Sequence, residues 1–471
     1  MPGKPNIVLI YCDELRADAL GPYAASGFQP RTPNVNRLAE RGVVFENNFC
    51  NAPICVASRT SLLTSTYCEQ HGLYGNEGVW PGFEHPPEMI TFPEVFVQAG
   101  YTTANFGKYH VPDSIHKWDH CDTTGGGMNL FDDYLQPHSL IMPPGHGGRI
   151  GGRLVEDAPF PAEQLTEKAC SWIDAQDSPW LCRFSYLQPH TPVFPPQWAV
   201  QLIEGDPALD GEIAPPGEGS RFEQRFGEVV NAAEMPPEQV RLTRVYYHAL
   251  VAWIDSQVGR ILDYLEQSGG LDETIVVLEA DHGAALGEYG RYAKHVFAPE
   301  VHRVPRIIAF PEALSRGERR PDICESIDLG PTLLGLAECD MPALAAEQFQ
   351  GRDLFSQPQP EAVFAAIGQG HPHSRAFPNG NVGTWRDGEG WPRRSCLRTQ
   401  RYRLDRNERI NDRPTQPEER DVFLCDWQRD PHEQINLASD PAHAQILARL
   451  TALLDAHVAD SVETCAPSGP S

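Results

Sequence analysis

Basic residues are scarce in this chain: 38 Lys and Arg face 64 Asp and Glu, a formal net charge of −26. So acidic a surface repels a phosphate backbone, which excludes nucleic acid as a partner and disfavours capture of long polyanions by bulk steering. A local basic pocket for a small anion remains compatible with it. Long apolar runs are missing too. No stretch reaches the roughly 20 apolar residues that a membrane-spanning helix needs, so no membrane partner is expected. The 12 cysteines contain no Cys-x-x-Cys pair, which argues against a zinc ribbon and against a small disulfide scaffold. The layout of a secretory signal is absent as well. Lys4 and the short run Ile7 to Ile10 lead straight into Asp13 and Glu14, so the run reads as a strand of the mature fold. Buried, reduced cysteines and a cytoplasmic location follow as expectations.

What is present is a series of apolar runs, each ending in residues able to do chemistry. Asn6 to Tyr11 leads to Asp13 and Glu14, and Tyr101 to Phe106 leads to Lys108 and His110. Trp180 to Tyr186 leads to His190, and Thr274 to Leu278 leads to Asp281 and His282. Runs without strict alternation belong to strands buried on both faces, so a mostly parallel sheet sandwiched by helices is predicted. Ligands of such sheets bind at the carboxyl ends of the strands, where all four polar clusters fall. Between the runs, helical spacing marks a helix after Thr32-Pro33, with Thr32 as capping residue, another over Ser58 to Ser65, and a third over 242–266.

At 471 residues, the chain divides by expectation into an α/β domain over 1–350, a small α+β subdomain over 351–463 and a disordered tail over 464–471. The subdomain is read from strand-like segments at Arg401 to Leu404 and Asp421 to Leu424 and from a helix after Asp440-Pro441. Two irregular insertions, Asp119 to Pro161 and Gly205 to Pro237, are rich in Gly and Pro. Together with His371 to Arg386 they are the expected home of substrate specificity.

Cys55-Val-Ala-Ser-Arg59, followed by Thr60-Ser-Leu-Leu-Thr64, resembles the signature of the formylglycine-dependent sulfatases of the alkaline phosphatase superfamily. Other motifs follow in the family's order: Pro5 to Arg16, Thr32 to Ala39, Gly42-Val-Val-Phe45, Gly107-Lys-Tyr-His110, Asp281-His-Gly283 with Leu286-Gly-Glu288 and Lys294, and Asp426 to Leu437. The resemblance implies a large mixed, mostly parallel sheet of the alkaline-phosphatase kind and hydrolysis of an organic or sugar sulfate monoester. It implies that Cys55 is oxidised to formylglycine by a formylglycine-generating enzyme, and that its hydrate is the nucleophile.

It further implies one divalent metal, Ca²⁺ first and Mn²⁺ or Mg²⁺ as alternatives, held by Asp13, Glu14, Asp281, His282 and modified Cys55. Hard carboxylate oxygens suit Ca²⁺ or Mg²⁺, and an imidazole admits Mn²⁺. Glu14 departs from the Asp commoner in the family. Arg59 is expected to steady the nucleophile, and Lys108 and Lys294 to bind sulfate oxygens. His190 would protonate the leaving alcohol and His110 would deprotonate the hemiacetal. Asn76 is a further substrate contact. The rival reading is a phosphodiesterase or phosphonate monoester hydrolase of the same superfamily, which generally lacks the Lys and His of Gly107 to His110. A catalytically dead scaffold would have lost a charged site residue, and none is lost. A homo-oligomer is compatible with the sequence.

Overall fold

All four apolar runs fold as strands, and they lie next to one another. The computed structural model describes residues 4–24, 28–76, 79, 88–115, 117–124, 160, 162–191, 193–210, 220–224, 236–368, 392–410 and 413–459. In chain order the strands are β1 (Asn6–Asp13), β2 (Val43–Phe49), β3 (Thr102–Gly107), β4 (His120–Asp122), β5 (Trp180–Pro189) and β6 (Thr274–Ala280). A short hairpin of β7 (Ala285–Leu286) and β8 (Tyr292–Ala293) precedes β9 (Arg303–Val304), β10 (Arg306–Ala309) and β11 (Glu318–Glu325). Last come β12 (Val363–Gly368), β13 (Pro392–Arg398), β14 (Tyr402–Ile410), β15 (Arg413–Pro414) and β16 (Val422–Asp426).

The large sheet runs β11-β2-β10-β6-β1-β5-β3-β4, with β9 on β2. β6, β1, β5, β3 and β4 are parallel neighbours, as are β2 and β11, while β10 runs antiparallel between β6 and β2. The sheet is mixed and mostly parallel, as predicted. Successive side chains of β1 enter opposite layers. Val8, Ile10 and Cys12 pack with Val245, Trp253 and Ile261, whereas Ile7, Leu9 and Tyr11 pack with Leu62, Phe92, Phe96 and Leu333. Helices therefore cover both faces, which is why the runs show no alternation.

Helix α1 (Pro33–Arg41) begins where expected, but its cap is different. Thr32 makes no capping bond, and its hydroxyl instead accepts from the Gly21 N–H at 2.8 Å. The first turn is capped from outside by Asp255, whose carboxylate accepts from Val35 N–H and Asn34 Nδ2, both at 2.8 Å. Asp255 lies on the helix Pro237–Gln267, which starts five residues before the predicted 242 because Pro237 fits the first helical turn. Burial pushes the Asp255 carboxyl up to about 6. A raised folded pKa means that stability is fully present below the unfolded value of about 3.9 and is lost as pH rises through 6. Asp255→Asn keeps an acceptor and removes the titration. Relative to the wild type, it is expected to gain on the order of 2–3 kcal/mol between pH 4 and pH 7. Paired thermal melts at the two pH values measure this.

β12 to β16 form a second, antiparallel sheet. The two strands foreseen near 401 and 421 are β14 and β16, paired Tyr402↔Asp426 to Arg406↔Val422. The foreseen helix, Ala444–Ala459, places Leu450 and Leu454 against Leu397, Leu404 and Leu424. Buried ion pairs brace this sheet and tie it to the β7-β8 hairpin. Glu223 accepts Arg403 of β14 at 2.6 Å and Arg291 beside β8 at 3.3 Å, and Arg291 reaches Glu300 at 2.6 Å. Glu433 pairs with Arg398 at 2.5 Å and with Arg403 at 2.6 Å. The stretch His371 to Arg386, the tail from 464 and most of the two predicted insertions lie outside the described residues. Among the described residues, no helix is long and apolar enough to cross a membrane.

Candidate active site

The carboxyl ends of β1, β3, β5 and β6 meet around one sulfur atom. β1 delivers Asp13 through an irregularity in its pairing with β5, where Cys12 faces Tyr186 but Asp13 faces Pro189. The next residue, Glu14, is left-handed at φ 61°. β3 delivers Lys108 through Gly107, at φ 93°, where an added Cβ would lie 2.2 Å from the Ser185 carbonyl oxygen. That close approach lets Lys108 N–H donate to the same carbonyl at 2.8 Å. β6 delivers Asp281 and His282, and the Gln188-Pro189 end of β5 delivers His190.

Cys55 is the first residue of α2 (Cys55–Thr64), which starts three residues before the predicted Ser58 and so puts the sulfur at the helix N-terminus. Asn76, expected as a substrate contact, spends its Oδ1 on this turn by accepting the Val56 N–H at 3.0 Å. The Cys55 Sγ lies 2.9 Å from Lys294 Nζ, 3.3 Å from His282 Nε2, 3.7 Å from Lys108 Nζ and 3.7 Å from Asp13 Oδ1. The His110 ring also acts to lower the pKa of the same thiol. Burial pushes the thiol up, but Lys108, Lys294 and His282 outweigh it and hold Cys55 well below the ordinary thiol range. His110 moves down, through burial and the charge of Lys108. Its backbone is left-handed at φ 52°, a conformation that costs a non-glycine residue energy and concentrates at functional sites.

Arg59 lies one turn along α2. It donates to Asp13 Oδ2 at 2.8 Å and to Asp281 Oδ2 at 2.9 Å, and Lys108 pairs with the same Asp13 oxygen. Ligand atoms of Asp13, Cys55, Asp281 and His282 all lie within 4.8 Å of one another. Burial, then the charge of Asp13, pushes Asp281 up to about 6. A cation between the two carboxylates relieves that repulsion, so this donor set fits a divalent metal. Glu14 belongs to a second group of possible metal ligands, with Asp13 and His190, which shares Asp13 with the first.

Three residues were not foreseen. Ser58 Oγ donates to the Asp281 carbonyl at 2.6 Å, and the Tyr247 hydroxyl donates to the Glu14 carbonyl at 2.6 Å. Arg183 stacks its guanidinium 5.5 Å from the Tyr109 ring and 4.9 Å from Trp118, which steadies the segment between Lys108 and His110. Ser58 sits inside the Cys55 motif and was open to prediction. Tyr247 and Arg183 read as core positions of a helix and a strand, and no local signal separates them.

The sulfatase family model matches residues 5–339. The chain belongs to the sulfatase family. Members of this family hydrolyse sulfate esters, and sulfuric ester hydrolysis is the activity of this enzyme. Among its relatives, an arylsulfatase of Clostridium perfringens is 27% identical over 383 residues, covering 72% of this chain and 76% of the relative. The fold is shared with BT4656, solved in complex with its substrate D-glucosamine-2-N,6-O-disulfate (TM-score 0.69, 21% identity, 99% of this chain and 100% of that one). It is also shared with the phosphonate monoester hydrolase of Silicibacter pomeroyi (TM-score 0.74, 21% identity, 98% and 97%).

Proposed function

We propose that the protein is a formylglycine-dependent sulfatase that converts a small organic or sugar sulfate monoester to the alcohol and inorganic sulfate. The observation that carries this reading is the buried Cys55 side chain, met by Lys108, Lys294, His282 and Asp13 at the shared end of four strands. A formylglycine-generating enzyme would replace the thiol by an aldehyde, whose hydrate takes the sulfur's place.

One hydroxyl of that hydrate, having lost its proton to solvent, attacks the sulfate sulfur while the ester S–O bond breaks, and His190 gives its proton to the departing alcohol oxygen. His110 then takes the proton of the remaining hydroxyl. The C–O bond to sulfate breaks, the aldehyde re-forms, and water adds to restore the hydrate. Arg59 holds the nucleophile between Asp13 and Asp281, while Lys108 and Lys294 bind the nonbridging sulfate oxygens. Asn76 fixes the helix turn that presents residue 55.

Asp13, Asp281 and His282 would hold the metal, Ca²⁺ by its oxygen donors and Mn²⁺ or Mg²⁺ as competitors. When bound, it supplies Lewis acidity toward sulfate and the nucleophile. The 11 described cysteines form no disulfide, which supports a cytoplasmic location.

Phosphate diesters and phosphonates are the competing substrates. Lys108 and His110, which both act on the Cys55 thiol, favour sulfate, because expulsion of sulfate from the covalent intermediate needs a base. Turnover of a matched panel of sulfate monoesters and phosphate diesters by modified enzyme tests the reading, and a higher kcat/KM for the diester overturns it. His110→Ala is expected to slow sulfate turnover by about 10²- to 10⁴-fold. It should show one burst of alcohol and then stall as sulfated enzyme, visible in stopped-flow traces and intact mass.

A further inference from the structure

We propose that Arg183 and Tyr11 form a buried site for a small monovalent anion, a halide ion, behind the catalytic pocket. The site and its readouts involve no turnover, so the proposal stands apart from the sulfatase reading. Arg183 lies on β5, two residues before Ser185, whose hydroxyl accepts Arg59 at 3.1 Å. It is fully buried. A guanidinium taken out of water is costly unless acceptors and a counter-charge meet it. Only Nε of Arg183 is so provided, donating to Asn105 Oδ1 at 2.7 Å. Nη1 and Nη2 are buried and neither has a hydrogen-bond partner. Arg59, Arg306, Arg394, Arg398, Arg403 and Arg406 are buried as completely, and each pairs with a carboxylate. Arg183 is the exception among them.

The groups that act on its charge are Tyr109, Arg59, Tyr11 and Cys121. Arg59 is itself a cation, and burial raises the other three, which keeps them neutral. Burial, with the like charge of Arg59, pulls Arg183 down to about 10. The guanidinium lies 4.9 Å from the Trp118 ring and 5.8 Å from the Tyr11 ring. The Tyr11 hydroxyl is buried without a hydrogen-bond partner as well. The unmet groups are therefore two amino nitrogens, which only donate, and a hydroxyl. A water molecule there brings two more hydrogens to place and no charge. A monatomic anion accepts from all three groups and supplies the counter-charge. It also screens Arg183 from Arg59, which bridges Asp13 and Asp281 and lies 5.0 Å from the same Tyr11 ring.

The direct test is a crystal of the metal-loaded, formylglycine-bearing enzyme grown in sodium bromide and measured at the bromine absorption edge. An anomalous peak in contact with the Arg183 amino nitrogens and Tyr11 Oη is expected. An ordered water at that place without anomalous signal overturns the proposal, and so does bromide found only beside Cys55. In solution, melting temperature is followed as chloride or bromide replaces gluconate, an anion too large for the site, at constant ionic strength. The halides are expected to raise it by about 2–4 °C in the wild type and to saturate. Arg183→Met keeps the apolar stem and removes the charge, so its halide response should vanish. The readout is the difference between the two proteins, in which general salt effects and binding at the metal cancel. An equal response in both overturns the proposal. Tyr11→Phe keeps the cation and loses one donor, and it should need about 10-fold more bromide for the same shift. It decides the case if Arg183→Met does not fold, because an unchanged bromide dependence in Tyr11→Phe also overturns the proposal.

Discussion

Cys55→Ala is expected to abolish turnover, a loss of at least about 10⁴-fold, as for removal of the nucleophile in other covalent hydrolases. The expectation follows from what surrounds the sulfur. Lys108, Lys294, His282 and Asp13 all converge on this one atom. None of them is itself placed to attack sulfate. Lys108 is paired to Asp13, Lys294 to Glu14, and His282 Nδ1 faces the Gly283 carbonyl at 2.9 Å. Cys55→Ser supplies a hydroxyl but no aldehyde and is expected to be nearly as inactive, because a sulfated serine lacks the second hydroxyl through which His110 expels sulfate. Peptide mass spectrometry across residues 50–59 of active wild-type enzyme should show sulfur replaced by oxygen. Full activity with an intact thiol would refute the assignment.

Asp281→Ala is expected to lose the metal and to cost about 10³-fold in kcat/KM, the equivalent of roughly 4 kcal/mol of lost stabilisation. Its effect on folding should be smaller than removal of a buried carboxylate usually brings. Breaking a buried ion pair typically costs about 3–5 kcal/mol because a charge is left uncompensated. Here Arg59 keeps Asp13, and the burial, then the charge of Asp13, that push Asp281 up to about 6 no longer act once the side chain is gone. Metal content and melting temperature together separate the two effects. A chelator should reproduce the loss of activity in the wild type, and added Ca²⁺ should restore it. Retained metal in the variant would refute the placement.

The parts of the site that could be read in the sequence were those attached to local pattern. Four apolar runs ended in polar clusters, and because parallel strands share a carboxyl end, their convergence followed from topology alone. The short antiparallel strand β10, Arg306–Ala309, had too few residues to show a period, so the mixed character of the sheet rested on the family resemblance. Contacts that depend on distant chain were invisible. Asp255 caps a helix 220 residues before it, and Glu14 meets Thr191 across 177 residues. Asn76 was recognised as a residue of the site, but the sequence did not show that its oxygen faces a backbone N–H of α2. For Glu14, motif order carried its address, while the turn of its backbone decided which neighbours it touches.

The ionic bridge through Glu223 bears on how freely this architecture can be recombined. Arg403 belongs to the small sheet, and Arg291 lies three residues before Lys294. A carboxylate shared between them ties the small sheet to the β7-β8 hairpin in one electrostatic unit close to Lys294. The small sheet is therefore not an interchangeable cassette. A chimera carrying another enzyme's C-terminal sheet must bring its own match for Glu223, or that buried carboxylate is left with Arg291 as its one remaining partner of the pair.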